Sequence, residues 1–226
     1  MSNFICNYTL FFFTGKGWDL TNEAHREDII LLMGTDQRNI CKLNKSLEEI
    51  GFDLIELFRP YAENIDSVLD IGTGTSIPIH IFADNFPNVR FYTIDIIDFR
   101  KRKKLPFVIY NGENLPFDNL KFDVSLLNET LHHCKDPESL LSEARRVAKS
   151  VYVIEHFPNP NISMKELMNT EFIALKEFEI PFQIYKPFTE KKLYSLFGKI
   201  GLEVCDTFKI PYYGNRKIVK FFFKLK

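Results

Sequence analysis

The sequence is poor in cysteine and has almost no net charge. Four cysteines occur in 226 residues, and 29 Lys and Arg residues stand against 30 Asp and Glu residues, for a formal net charge of -1. The cysteines are scattered without a CxxC pair, so they form neither a disulfide framework nor a zinc knuckle and are typical of a reducing compartment. The neutral balance argues against a dedicated nucleic-acid-binding protein, which usually has a large basic excess.

Long apolar runs are absent as well. No segment approaches the roughly 20 apolar residues of a membrane span. The N-terminal stretch MSNFICNYTLFFFTGKGW has no basic start and no small-residue cleavage site, so it does not have the pattern of a signal peptide. We therefore predict a cytoplasmic protein without a membrane span, while nothing in the sequence indicates its oligomeric state.

Two basic clusters are local exceptions to the neutral balance. One is the RKRKK run at residues 100–104, and the other lies near the C-terminus. Its members are Arg216, Lys217, Lys220, Lys224 and Lys226. Either cluster could contact a phosphate, but the simpler prediction for each is a solvated loop or strand edge.

Short apolar runs alternate with helical stretches between residues 67 and 155. Strands rich in Val, Ile and Phe and separated by helices predict a parallel sheet with right-handed crossovers. Two later runs, 202–210 and 217–224, are joined by a short turn and must be antiparallel, which predicts a hairpin at the sheet edge. The five parallel strand candidates are Ser67 to Ile71, Val89 to Ile94, Pro106 to Tyr110, Phe122 to Leu127 and Ser150 to Glu155.

Helices are predicted before, between and after these strands. Apolar residues recur at helical spacing within residues 19–60. Asp136 and Thr189 are predicted to begin later helices as N-caps, and a further helix is predicted over residues 163–178. The chain is therefore predicted to be an α/β protein with helices on both faces of its sheet.

A glycine-containing turn follows the first predicted strand. Its sequence is Asp70-Ile-Gly72-Thr-Gly74-Thr-Ser76. Glycines at this place let the backbone turn tightly and approach a ligand closely. The dinucleotide fingerprint requires a third glycine where Ile77 stands, and the P-loop requires a Gly-Lys-Ser/Thr ending that is absent, so both of those ligand classes are disfavoured.

Acidic residues beside this turn favour a ligand with positive charge and no phosphate. Asp70 would lie close to a pyrophosphate and repel it, whereas it would attract a cation. Asp95 ends the second predicted strand, 25 residues after Asp70, where a carboxylate can accept both hydroxyl hydrogens of a ribose. S-adenosylmethionine, with its sulfonium and ammonium groups, has these properties.

Four segments of the chain resemble successive motifs of the class I S-adenosylmethionine-dependent methyltransferases. They are VLDIGTGTS, FYTID, NGENLPFDNLKFDVSLLNETLHHCKDPESLLSEARRV and VYVIEH. The resemblance is greatest to small-molecule methyltransferases of the ubiquinone/menaquinone-biosynthesis type. It implies a Rossmann-like, seven-stranded, mostly parallel sheet, with residues 61–226 as the methyltransferase domain and residues 1–60 as an N-terminal helical lid or substrate segment.

The resemblance also implies the cofactor and the residues that bind it. S-adenosyl-L-methionine would be the methyl donor and S-adenosyl-L-homocysteine its product. Asp70 would hold the methionine end of the cofactor together with the glycine turn, and Asp95 would hold the ribose. The cofactor-binding residues implied in this way are Asp70, Gly72, Thr73, Gly74, Asp95, Ile96, Asn111, Gly112 and Asn128.

Four features depart from the family pattern. Asn111 stands where the family usually has an Asp that accepts the adenine amino hydrogens, and Gly112 replaces an Ala. Ser76 replaces the usual last glycine of the turn. The connection between Asp95 and Asn111 has only 15 residues, too few for a full crossover helix, so the RKRKK run is predicted to form an exposed basic loop beside the adenosine.

Histidines at the carboxyl ends of two strands are the candidates for proton transfer, because ligands bind at this edge of a parallel sheet. His132 and His133 follow the fourth strand, and Glu155 and His156 end the fifth. We predict His156 and His132 as catalytic residues, since histidine titrates near neutral pH; the alternative is that His132 or His133 only packs or caps the following helix. No metal site is predicted, because adjacent histidines point in different directions and spaced ligand pairs are absent.

The acceptor pocket is predicted from the distribution of aromatic residues. The chain has 23 phenylalanines, 9 tyrosines and one tryptophan. Aromatic residues are concentrated near the N-terminus and after the fifth strand, and we predict Trp18, Phe182 and Tyr185 as substrate-binding residues. Because ligand pockets are mainly apolar, this composition favours a small, apolar or ring-containing acceptor, with an O, C or N atom methylated.

Two other functions remain open from the sequence. One is a catalytically silent protein that binds the cofactor and serves as a scaffold. The other is an RNA or protein methyltransferase, for which the RKRKK run is the supporting feature. The Asp/Asn-Pro-Pro-Tyr/Phe motif of base-amino methylation is absent at residues 128–131, so no nucleic-acid partner is expected.

Overall fold

The computed structural model places seven strands in one mixed sheet. It describes residues 51, 54–98, 100–158, 162–163, 165, 187–210 and 218–226. The strands are β1 (Ser67–Ile71), β2 (Arg90–Asp95), β3 (Phe107–Ile109), β4 (Phe122–Asn128), β5 (Ala148–Pro158), β6 (Val204–Ile210) and β7 (Ile218–Leu225). The helices are α1 (Ile77–Asn85), α2 (Pro137–Val147) and α3 (Glu190–Lys199), with 3-10 helices at Arg59–Asn64 and Leu131–His133.

The strand order is β3-β2-β1-β4-β5-β7-β6. Strands β1 to β5 are parallel to their neighbours, whereas β7 runs antiparallel to both β5 and β6. The predicted Rossmann-like sheet is therefore confirmed, and each strand is found within about three residues of its predicted position. The hairpin is also confirmed: β6 is the edge strand, and β7 is inserted between β5 and β6.

The alternation of side chains along the strands divides the core into two layers. Leu69 and Val153 face α2 and α3 on one side of the sheet, where Phe197 and Phe223 are fully buried. Neighbouring strand residues face the opposite layer, which contains α1 and the helical residues 54–58. Among the described residues, no helix combines the length and apolar character needed to cross a bilayer.

The helix ends follow the predicted capping chemistry. The Asp136 carboxylate accepts a hydrogen bond from the Ser139 N–H at 3.0 Å, and the Thr189 hydroxyl accepts one from the Lys192 N–H at 3.3 Å. Side chains at these positions satisfy backbone donors that have no partner inside the helix. α3 is followed by Gly201 in the left-handed region, with φ of 69°.

Several predicted features lie outside the described residues. They include the helix predicted over 163–178, almost all of the segment 1–60, and the predicted substrate-binding residues Trp18, Phe182 and Tyr185. The prediction that the C-terminal basic cluster is solvated was wrong for Lys220, which is 4% exposed. Lys220 lies on β7 opposite His156, inside the sheet rather than at its edge, and pairs with a carboxylate there.

Candidate active site

The glycine turn connects β1 to α1 at the carboxyl edge of the sheet. Gly72 has φ of 77°, and its N–H donates to the Ile94 carbonyl at 2.9 Å. A Cβ on Gly72 would lie 2.5 Å from a Thr130 methyl carbon, whereas a Cβ on Gly74 would meet nothing within 4 Å. The first glycine is therefore required by packing, and the second leaves a space beside the backbone that a ligand can use.

Asp95, at the end of β2, is bound to the same turn. Its carboxylate accepts hydrogen bonds from the Gly74 N–H at 2.8 Å and from the Ile96 N–H at 2.7 Å. Burial raises the pKa of Asp95 to about 6, although these backbone donors act in the opposite direction. Asp95 thus joins β2 to the glycine turn, and no cationic side chain in the described part of the chain pairs with its carboxylate.

Asp70, near the end of β1, is the second buried carboxylate of this edge. Its side chain is 5% exposed, and burial raises its pKa to about 7, with a further increase from the negative charge of Asp95. Among the described residues no cationic side chain pairs with either carboxylate. Two buried acidic groups beside an open glycine turn fit a cationic, phosphate-free ligand such as S-adenosylmethionine.

The basic loop between β2 and β3 is attached to the start of α1. The Ser76 hydroxyl donates to the Arg102 carbonyl at 2.5 Å, and the Lys101 N–H donates to the Thr75 carbonyl at 2.8 Å. Ser76 has φ of 58°, a left-handed conformation that serine adopts much less readily than glycine. As predicted, no crossover helix forms within the described residues of this connection, and Lys101 and Lys103 are exposed.

His80 holds the same loop from its other side. Its Nε2 accepts hydrogen bonds from the Lys104 and Leu105 N–H groups at 3.2 and 3.3 Å, so Nδ1 carries the proton and donates to the Ser76 carbonyl at 2.7 Å. Burial lowers the pKa of His80, with smaller contributions from its neighbours. A neutral, buried histidine therefore substitutes for the missing crossover helix in fixing this connection.

The predicted adenine and methionine contacts lie at the same edge of the sheet. Asn111 is exposed after β3, and its Oδ1 accepts a hydrogen bond from the Glu113 N–H at 3.0 Å. A Cβ on Gly112, which has φ of 82°, would lie 3.3 Å from the Ile96 side chain. Asn128 ends β4 and is half-buried. The fold therefore brings these residues together around the ends of β2, β3 and β4.

A buried polar cluster occupies the ends of β4 and β5. His132 Nδ1 lies 2.7 Å from Glu155 Oε2, and the two side chains are 4% and 0% exposed. His156 Nδ1 lies 3.0 Å from Glu129 Oε1, and Lys220 Nζ lies 3.1 Å from that same oxygen. Burial acts to raise the pKa of Glu129, but the charges of Lys220 and the histidines hold it well below its usual range.

The two catalytic histidines predicted from the sequence thus lie together, with ring centroids 4.7 Å apart. The sequence reasoning noted Glu155 as a strand-end residue but did not include it among the site residues, and it missed Glu129 and Lys220. The detectable signal for Glu155 was a charged residue directly after the apolar run VYVI. Lys220 had no such signal, because its neighbour across the sheet depends on strand order.

The cluster also contains metal-ligand types. Ligand atoms of His132, Glu155 and His156 lie within 4.8 Å of one another and are buried. Glu155 already accepts from His132 and from the Leu131 N–H, and an ammonium group stands next to Glu129. N–H donors and the ammonium therefore already contact these carboxylates. The absence of a metal stays a prediction.

Comparison with known proteins agrees with this geometry. Residues 69–151 match the family described as "Methyltransferase domain". The chain is 31% identical over 84 residues to the uncharacterized protein MJ1123 of Methanocaldococcus jannaschii, covering 36% of this chain and 38% of that protein. It is 28% identical over 112 residues to the demethylmenaquinone methyltransferase of Paenarthrobacter aurescens, covering 47% and 44%. The chain thus spans about two fifths of the length of the curated relatives that it matches.

A solved structure shows the same fold. The geranyl diphosphate C-methyltransferase of Streptomyces coelicolor, in complex with Mg2+, geranyl diphosphate and S-adenosyl-L-homocysteine, is 15% identical with a TM-score of 0.53, over 71% of this chain and 72% of that chain. Its likeness concerns the fold, whereas the domain match covers β1 to the middle of β5, including the glycine turn and Asp95. Residues 69–151 are therefore similar to a methyltransferase domain, within a sheet whose fold solved methyltransferases share.

Proposed function

We propose that this protein transfers a methyl group from S-adenosylmethionine to a small, apolar or ring-containing molecule. The observation that carries the proposal is the pair of buried carboxylates, Asp70 and Asp95, beside the open backbone at Gly74; no cationic side chain among the described residues pairs with either of them. A cationic cofactor without phosphate would supply the missing positive charge. The family match over residues 69–151 supports the same cofactor.

Each part of the cofactor has a matching group in the chain. Asp70 and the turn at 72–74 would hold the methionine end, and Asp95 would accept hydrogen bonds from the ribose. The adenine would lie near Ile96 and the loop at 111–112. Asn128 would border the methionine end from β4. The cofactor supplies an electrophilic methyl group, and these residues contribute by orienting it for in-line displacement.

The nature of the acceptor is inferred from one relative and from the aromatic residues of the chain. One relative is named a demethylmenaquinone methyltransferase, which implies a ring-containing acceptor for that protein. The predicted aromatic residues Trp18, Phe182 and Tyr185 would line the pocket, and residues 1–60 would cover it. His132 and His156 would lie at its polar end, where either can take a proton from an acceptor.

Two alternatives keep the fold but change the function. A scaffold protein would bind the cofactor without transferring its methyl group. An RNA or protein methyltransferase would use the exposed lysines Lys101 and Lys103 next to the adenosine site. The histidine cluster at the ends of β4 and β5 favours catalysis over a scaffold, because buried titratable groups beside a ligand site are typical of active sites.

Calorimetric titration with S-adenosylhomocysteine tests the proposal. We expect binding to the wild-type chain and a loss of at least about tenfold in affinity for Asp95→Asn, because an amide is a poorer acceptor for two ribose hydroxyls than a carboxylate. Asp66→Asn is the matched control, since Asp66 is exposed at the opposite end of β1. Absence of binding to the wild type, or equal affinity in Asp95→Asn and Asp66→Asn, would refute the cofactor site.

A further inference from the structure

Glu155 is a buried carboxylate with partners on both of its oxygens. Oε1 accepts hydrogen bonds from the Leu131 N–H at 2.9 Å and the His132 N–H at 3.4 Å, and Oε2 lies 2.7 Å from His132 Nδ1. The side chain is 0% exposed. Backbone donors thus fix the carboxylate, and the carboxylate in turn fixes the imidazole ring.

This contact determines which nitrogen of His132 carries the proton. A carboxylate only accepts hydrogen bonds, so Nδ1 of His132 must donate to Oε2. In the neutral ring Nε2 is then an acceptor with a free lone pair. Among the described residues, His132 Nδ1 has a side-chain partner and Nε2 has none.

The position of this pair relates it to the proposed methyl-transfer site. His132 lies on the 3-10 helix Leu131–His133, directly after Thr130, whose side chain packs against Gly72 of the glycine turn. The thiol of Cys134, two residues further on, has its pKa raised to about 12 by burial and by the negative charges of Glu155 and Asp95. The charges of Glu155 and of the proposed ribose carboxylate therefore both act on this one thiol.

The neighbouring pair, His156 and Glu129, is arranged differently. Glu129 shares one oxygen between His156 Nδ1 at 3.0 Å and Lys220 Nζ at 3.1 Å. The charge of Glu129 is thereby balanced by an ammonium group, whereas no Lys or Arg side chain of the described residues pairs with Glu155. Glu129 therefore already has a cationic partner, whereas Glu155 is left to pair with a cation formed on the His132 ring.

We propose that His132 is the general base of the reaction and that Glu155 is the residue that positions it. This inference rests on the proposed methyl transfer and narrows its acceptor to a group that loses a proton, a hydroxyl or an acidic C–H. The acceptor's electron pair forms a bond to the methyl carbon, the carbon–sulfur bond breaks with its electrons left on sulfur, and the acceptor's proton moves to Nε2 of His132. The imidazolium formed is paired with the Glu155 carboxylate until it releases the proton to water.

Nitrogen-15 NMR of the histidine rings, in the full chain saturated with S-adenosylhomocysteine, tests the positioning role. We expect the His132 signals of a ring protonated at Nδ1 in the wild type. In Glu155→Gln the amide N–H can donate to Nδ1, so the ring should change to the tautomer protonated at Nε2. Glu129→Gln is the matched control and should leave the His132 tautomer unchanged.

The acceptor class is tested in the same complex with phenol and anisole as probes. Anisole carries a methyl group in place of the hydroxyl hydrogen of phenol and cannot donate a hydrogen bond. Phenol at millimolar concentration should therefore shift the His132 Nε2 signal, and anisole should not. A wild-type His132 protonated at Nε2 overturns the positioning role even if Glu155→Gln does not fold. Equal responses to the two probes, or no response to either, overturn the acceptor class. Failure of the wild type to bind S-adenosylhomocysteine is a separate result, because it refutes the proposed function itself.

Discussion

Cofactor affinity should depend steeply on pH because both carboxylates of the proposed site have raised pKa values. Burial raises the pKa of Asp70 to about 7 and that of Asp95 to about 6. A cationic ligand binds the ionised forms, so each proton taken up as the pH falls must be removed again on binding. At pH 5 the solution is about two pH units below the pKa of Asp70 and one below that of Asp95. Removing both protons on binding then costs about 4 kcal/mol at 1.36 kcal/mol per unit, which is a loss of about a thousandfold in affinity.

The assay is calorimetry with S-adenosylmethionine, which carries the sulfonium, from pH 5 to pH 8, in buffers of different ionisation enthalpy so that released protons are counted. We expect affinity to be constant above about pH 8 and to fall below pH 7, with up to two protons released at the acidic end. Asp70→Asn should release one proton fewer and flatten the profile between pH 6 and 7. Asp66→Asn, at the other end of β1, should follow the wild type. An affinity that does not change between pH 5 and pH 8 would contradict the assignment of these carboxylates to a cationic ligand.

Three further predictions concern stability and are measured by denaturant unfolding. Gly72→Ala should lower the free energy of unfolding by about 2–3 kcal/mol, because its Cβ would collide with a neighbouring threonine. Gly74→Ala should lower it by only about 1 kcal/mol and should weaken S-adenosylhomocysteine binding. Equal losses of stability in the two variants would contradict the different packing of the two glycines. Burial lowers the pKa of His80, so this histidine binds a proton less readily in the folded than in the unfolded chain. The free energy of unfolding should therefore fall by up to about 1.4 kcal/mol per pH unit as the pH drops below about 6.5. His80→Gln should remove this part of the pH dependence. Lys220→Met leaves the half-buried Glu129 carboxylate without its ammonium and should cost up to about 3 kcal/mol. The double variant Lys220→Met/Glu129→Gln should recover part of this loss, and additive losses would show that the two residues are not coupled.

The sheet and the cofactor edge could be predicted from the sequence because their signals are local. Asp70 and Asp95 each follow a short apolar run, and carboxyl ends of parallel strands meet at one edge whatever the strand order is. The contacts of Ser76 and His80 with the basic loop could not be predicted, because they depend on the path of a connection that lacks its helix. A serine in a left-handed conformation has no sequence signal apart from the glycine that it replaces.

The polar cluster shows where sequence spacing stops being informative. Lys220 reaches the active-site edge because β7 runs antiparallel to β5 and is inserted beside it, which places Lys220 opposite His156 in the strand register. Had the last two strands exchanged places, β6 would face β5, and Glu129 would lose the ammonium that holds its pKa low. Among the ionisable side chains that the structure describes, the same register leaves Glu155 paired with His132. The difference between the two histidines therefore comes from the topology of the final hairpin, and the choice of His132 as the base depends on that hairpin as much as on the LHHC segment itself.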